Sequence, residues 1–314
     1  MRIDHTLEQL ARENGGLVTS AAAKAAGIAS QRLTELVRRG LLARVARGVY
    51  AAASALTSVP DPRTLTVSWR VVLSSASAVA WFGVDLPKPP GRLHVTAPRS
   101  RGRWRDAVPG VRLQRANLAS HEIVVVRGVR VTSPLRTALD YARGHGLADA
   151  VAVVDAFYRA KLVTVAEFES AAASAKGPGG RQLRLVAALA DPQSGSILES
   201  LCRVLLWQNG VAPEETQYPF EHPRTGWVGY LDFAWPSRRV ALECDGYEWH
   251  AEREPFQRDR RRWSALNRAT WRSGVVTWFD VTGDPAYVVA LVRDLLECEE
   301  TAAHDCVRES RRGA

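Results

Sequence analysis

Two apolar runs in the last third of the chain each enclose a single acid: Tyr230-Leu-Asp-Phe-Ala-Trp235 and Val240-Ala-Leu-Glu-Cys-Asp245. Their β-branched and aromatic content predicts strands. A carboxylate in such a strand is costly to bury unless it is hydrogen-bonded or bound to a cation. At period two, Glu243 and Asp245 project to the same side. The helix before these strands opens on Ser196-Ile-Leu-Glu199, which places a further acid nearby. Asp232, Glu243 and Glu199 converging would form an oxygen site suited to Mg²⁺ or Mn²⁺. Two plainer readings stand beside this one: Ser196-x-x-Glu199 is also a capping box, and Asp245-Gly246 is also an ordinary turn. The predicted order over residues 194–297 is α-β-β-β-α-β-α. Its strands lie at 217–220, 229–235, 239–244 and 275–279, and its later helices at 255–268 and 286–297.

The first 55 residues read differently. Helices are predicted at 4–14, 21–26 and 31–39, with Leu33, Leu36 and Val37 forming the apolar side of the third. Two extended runs over 41–50 meet near Arg47-Gly48. Three short helices and a β-ribbon predict a winged helix-turn-helix. Ser30, Gln31 and Arg32, with Glu35 beside them, would then face a major groove, and Arg44 and Arg47 on the wing would reach phosphates or the minor groove. A helical hairpin with a basic solvent face is the alternative.

After a small-residue linker at 51–63, residues 56–193 read as a basic α+β domain without a catalytic pattern. A helix is expected over 65–82, strands at 92–96, 111–115, 121–126 and 129–132, and helices at 135–143, 147–160 and 165–175. Pro134 stands in the first turn of one helix, where its missing N–H costs nothing. The run Gly177-Pro-Gly-Gly180 reads as a break. Arg99, Arg101, Arg103 and Arg105 flank Trp104, either as a phosphate-gripping arm or as a solvated loop.

Charge follows this division. The 314 residues carry a net +9, made of +4 over residues 1–55, +9 over 56–193, −3 over 194–297 and −1 over the tail. Only four of the 42 basic residues are lysine. A basic first two thirds suits a polyanion such as DNA, and an acidic last third suits a site that holds cations. With 46% AVILMFWYC, disorder is excluded. No run nears the ~18 apolar residues of a membrane span, and the start has no apolar signal-peptide core. Cys202, Cys244, Cys298 and Cys306 are neither a disulfide framework nor a CxxC pair, so a cytoplasmic protein is expected. Residues 298–314 read as a flexible tail, in which Cys298, His304 and Cys306 lack a fourth zinc ligand.

The residues Gly16-Leu-Val-Thr-Ser-Ala, Leu36-Val-Arg-Arg-Gly-Leu-Leu, Arg47-Gly-Val-Tyr50 and Thr132-Ser-Pro-Leu-Arg-Thr-Ala-Leu-Asp140 give the first ~190 residues a resemblance to antitoxins of abortive-infection type IV toxin–antitoxin systems. That resemblance implies a winged helix joined to an α+β domain, autorepression of a promoter and a cognate toxin as partner. Residues 194–297 resemble Vsr-like PD-(D/E)xK endonucleases, through Glu199, Tyr230-Leu-Asp232-Phe, Leu242-Glu-Cys-Asp-Gly246, His250, Arg258-Asp-Arg-Arg-Arg262 with Leu266, and Thr277-Trp278 before Asp280. This second resemblance implies a restriction-endonuclease-like α/β domain that hydrolyses DNA phosphodiester bonds. Asp232, Glu243 and the Cys244 carbonyl would hold the metal, His250 would move a proton, and Arg262 would face a phosphate. The superfamily's lysine is missing, since no Lys follows Lys176 and Asp245 occupies its position. The whole chain is thus expected to be a multidomain α+β DNA protein, either a metal-dependent endonuclease or a non-catalytic autorepressor with a degenerate nuclease-like domain.

Overall fold

The computed structural model describes residues 5–13, 17–46, 48–52, 62, 65–66, 71–99, 110–221, 228–245 and 270–297. They fall in two compact units. One comprises Met1–Gly144 and Leu162–Leu183, the other His145–Lys161 and Arg184–Ala314.

The first unit begins with a small head: α1 (His5–Glu13), β1 (Leu17–Thr19), α2 (Ser20–Ala25), α3 (Ser30–Arg38), β2 (Leu42–Ala46) and β3 (Val49–Ala52). Thr19 caps α2, its Oγ1 accepting the Ala22 N–H at 3.0 Å. Leu7, Val18, Leu33, Leu36, Leu42 and Tyr50 close one apolar core. The strands form an antiparallel sheet in the order β1-β3-β2. Alternation gives this sheet a second apolar face, on which Leu17, Val49 and Ala51 pack against Leu65, Val71 and Leu73. The head therefore shares a core with the rest of its unit, where the sequence suggests only a tether. β1 is an element that the sequence pattern does not show; three residues are too short for a periodicity to register.

The unit continues through β4 (Val72–Leu73), α4 (Ser75–Phe82), β5 (Leu93–Ala97), β6 (Val111–Arg115), β7 (Ile123–Val126), β8 (Val129–Thr132) and α5 (Pro134–Gly144). The five strands lie in the order β6-β5-β4-β8-β7. β4 breaks the helix expected over 65–82. Val71, Val72 and Leu73 are buried, with β4 paired to β5 on one side and β8 on the other, so sheet pairing overrides the helical pattern.

α6 (Leu147–Arg159) falls by its contacts in the second unit, where it packs on α9. Between them run α7 (Val165–Ala173), within the first unit, and α8 (Gly180–Leu189), whose Leu183 and Val186 are buried. The chain breaks as expected between α7 and α8, with Gly177 and Gly179 at positive φ and Gly180 opening α8. Beyond α9 (Ile197–Gln208) come β9 (Glu215–Glu221), β10 (Val228–Trp235), β11 (Val240–Asp245), β12 (Arg272–Thr277), α10 (Trp278–Gly283) and α11 (Pro285–Glu297). The sheet order is β12-β11-β10-β9, with β11–β12 parallel and the other pairs antiparallel. The last strand stops two residues short of the expected 279 because Thr277 and Asp280 form a capping box that turns the chain into α10.

Candidate functional site

In the head, α3 buries Leu33 and Leu36 and turns Gln31, Thr34 and Arg38 to solvent. The spacing i, i+3, i+7 puts those three on one face. Ser30 and Gln31 are exposed. Arg32 is engaged: it pairs with Glu35 at 3.0 Å, and Arg39 reaches the same carboxylate at 2.6 Å. The hydrogen bond from Arg32, with Arg39 alongside, holds the Glu35 carboxyl below its usual range. Arg38, seven residues beyond Gln31, is exposed on the same helix face. Arg44 is exposed on β2, while Arg47 lies outside the residues whose side chains are described. The β2–β3 hairpin turns at Gly48, where φ is +76° and the carbonyl accepts the Ser20 N–H at 2.6 Å. A Cβ at Gly48 would stand 3.3 Å from Ser20 Oγ, so glycine fits both the backbone and the space.

In the second unit the buried Glu199 and the half-buried Asp232 are engaged by protein donors. Ser196 Oγ accepts the Glu199 N–H at 3.1 Å, which is half of the capping box. The Glu199 carboxylate does not close the other half. Its Oε2 accepts the Gly195 N–H at 2.7 Å and the Gln217 side-chain amide at 2.9 Å. The same Gln217 nitrogen lies 3.3 Å from Asp232 Oδ1, while Asp232 Oδ2 accepts the Cys244 N–H at 2.8 Å. Burial, and then the charge of Asp232, push the Glu199 carboxyl up from its ordinary range. Glu243 is buried on β11, and Asp245 is exposed at that strand's end. Although two residues apart on one strand, these two acids meet different surroundings.

Cys244, whose carbonyl is expected to face a metal, gives its N–H to Asp232, and a hydrogen bond with Cys202 raises its thiol well above the ordinary range. Among the described residues no three His, Cys, Asp or Glu gather to hold an ion. The donor set seen there does not fit Mg²⁺ or Mn²⁺: both Asp232 oxygens and one Glu199 oxygen are engaged by N–H groups. His250 and Arg262 lie outside the described residues. An open cleft of about 500 Å³ lies against Gln217, lined also by Gln193, Glu215, Thr216, Pro219 and Tyr230.

A further buried acid, Asp155, is one that the strand patterns do not single out. It stands inside the apolar stretch of α6 and is fully buried. Its Oδ1 accepts the Asp191 N–H at 2.7 Å. Its Oδ2 accepts Ser200 Oγ at 2.7 Å and Arg203 at 2.6 Å. Burial raises its pKa to about 6 against the pull of Arg203 and Ser200. The signal that singles out Asp232 and Glu243, one acid in an apolar run, is equally present in Ala150-Val-Ala-Val-Val-Asp155-Ala-Phe.

The family models match within the first two thirds of the chain. Residues 5–53 match the family model described as a transcriptional regulator, AbiEi antitoxin, and residues 70–186 match the AbiEi antitoxin C-terminal domain. Uncharacterized protein Rv2248 of Mycobacterium tuberculosis is 30% identical over 264 residues, covering 83% of this chain and 95% of the relative. Uncharacterized protein MT2308, from another strain of that organism, matches equally. The crystal structure of the RV2827C protein from Mycobacterium tuberculosis aligns with a TM-score of 0.38 at 17% identity, over 72% of this chain and 92% of that one. Among the described residues no helix is long and apolar enough to cross a membrane.

Proposed function

Because the chain belongs to the family of these mycobacterial proteins and carries both AbiEi antitoxin domains, we propose that it is a DNA-binding transcriptional regulator of the antitoxin type. In this reading the head is a winged helix that docks on operator DNA, with a cognate toxin as the chain's protein partner. The observation that carries it is the solvent face of α3, where Gln31, Thr34 and Arg38 stand over the Leu33–Leu36 core, with Arg44 exposed on the neighbouring hairpin strand. Gln31 is suited to bidentate contact with adenine, and Arg38 and Arg44 to guanine edges or phosphates. The basic balance of residues 1–193 adds a salt-dependent attraction to the duplex. The test is a titration of the full chain against the DNA upstream of its own gene and against a shuffled duplex. Preference for the upstream DNA, weakened in Arg38→Ala, is the expected result, and equal affinity for both duplexes would overturn it.

A second reading, a metal-dependent endonuclease, draws on one observation: three acids, Glu199, Asp232 and Glu243, are buried or half-buried beside a sheet with one parallel strand pair. It requires those carboxylates to exchange protein donors for a cation. Plasmid nicking with Mg²⁺, compared between the native chain and Glu243→Ala, decides it, since equal activity in the two would exclude this site as the source.

A further inference from the structure

Gln217 faces Asp232 across the β9–β10 ladder, at the point where regular pairing steps from Leu231↔Tyr218 to Phe233↔Thr216. Its φ of +48° is a left-handed conformation that a non-glycine residue rarely adopts. From there its amide nitrogen reaches Glu199 Oε2 at 2.9 Å and Asp232 Oδ1 at 3.3 Å. A primary amide has two N–H bonds, and here they meet two carboxylates. Gly195 keeps the space open on the other side, for a Cβ there would lie 2.9 Å from Glu199 Oε1.

We infer that Gln217 is an internal plug: its amide stands between Glu199 and Asp232 where a divalent cation would otherwise sit, and holds the acid pair without a metal. An amide satisfies lone pairs but adds no positive charge of its own. Both carboxylates turn an oxygen toward the same amide nitrogen. Removing the amide releases Asp232 Oδ1 from Gln217 beside Glu199, whose Oε1 Gly195 leaves uncrowded. The Gly195 and Cys244 N–H bonds hold the other oxygens. Negatively charged oxygens so placed are donors that Mn²⁺ takes. This inference concerns the second unit alone and stands or falls independently of DNA binding by the head.

The test is Mn²⁺ binding to the full-length chain, followed by electron paramagnetic resonance and by thermal unfolding. Gln217→Ala should bind one Mn²⁺ at least tenfold more tightly than the native chain and should be stabilised by the ion. The double variant Gln217→Ala/Asp232→Asn should lose both effects. Equal Mn²⁺ affinity in the native chain and Gln217→Ala, including no binding by either, would overturn the plug. Should Gln217→Ala fail to fold, Gln217→Ser is measured in the same way. Failure of both to fold, with or without Mn²⁺, would also overturn it, because the amide would then be a support of the sheet and not a stand-in for a cation.

Discussion

The head and the second unit use charged residues in opposite ways. In the head, Arg38 and Arg44 are exposed above a purely apolar core, available to whatever approaches. In the second unit, Asp155, Glu199 and Asp232 each accept two or three hydrogen bonds from neighbouring donors. An exposed charge costs little to keep and is ready for a ligand; a buried one is held only because the protein itself satisfies it. The contrast teaches that an acid in an apolar strand signals burial first, and chemistry only if its partners leave room.

The sharpest way to break this contrast is at Asp155. Asp155→Ala leaves Arg203, itself mostly buried, without its carboxylate, and should destabilise the second unit by about 3–5 kcal/mol in denaturant titration. Asp155→Asn keeps the shape and tests the charge alone. Because burial raises the folded-state pKa of Asp155 above its ordinary 3.8 to about 6, the unfolded chain gives up this proton first. Its contribution is fully present below pH 3.8 and is lost as pH rises through 6. The stability of the native chain relative to Asp155→Asn should accordingly fall between about pH 4 and about pH 7, and a constant difference across that window would refute the assignment.

In the head, Leu36→Ala removes a fully buried side chain and should cost about 2–5 kcal/mol, with loss of DNA binding only as the head unfolds. Arg38→Ala should behave in the reverse manner: unchanged thermal stability and DNA affinity weakened by about 1–3 kcal/mol. Smallest of all, Gly48→Ala should destabilise by roughly 1 kcal/mol through its positive φ, a shift readable in thermal unfolding of the native and variant chains.

Much of the head is legible in the sequence because its helices have start signals and its apolar residues recur at helical spacing. Thr19 caps α2, and Gly48 is at the turn. The fate of Arg32 is not legible, because sequence alone does not show that Glu35, one turn on, claims it. In the second unit the strands bearing Asp232 and Glu243 are legible from their apolar runs. Their partners are not, since Gln217 owes its position to a left-handed backbone that no propensity predicts. Asp155 escapes notice for a different reason: in a helix an acid is commonplace, and only the absence of polar neighbours over a whole turn marks it as buried.

The central claim is that this chain acts on DNA through its head and that its buried acids serve the fold. Protection footprinting on the DNA upstream of its gene, in EDTA, compares the native chain with Arg38→Ala and Glu243→Ala. The account predicts the same protected stretch for the native chain and Glu243→Ala, and its loss in Arg38→Ala. Protection that needs a divalent cation and Glu243, and that survives without Arg38, would contradict it.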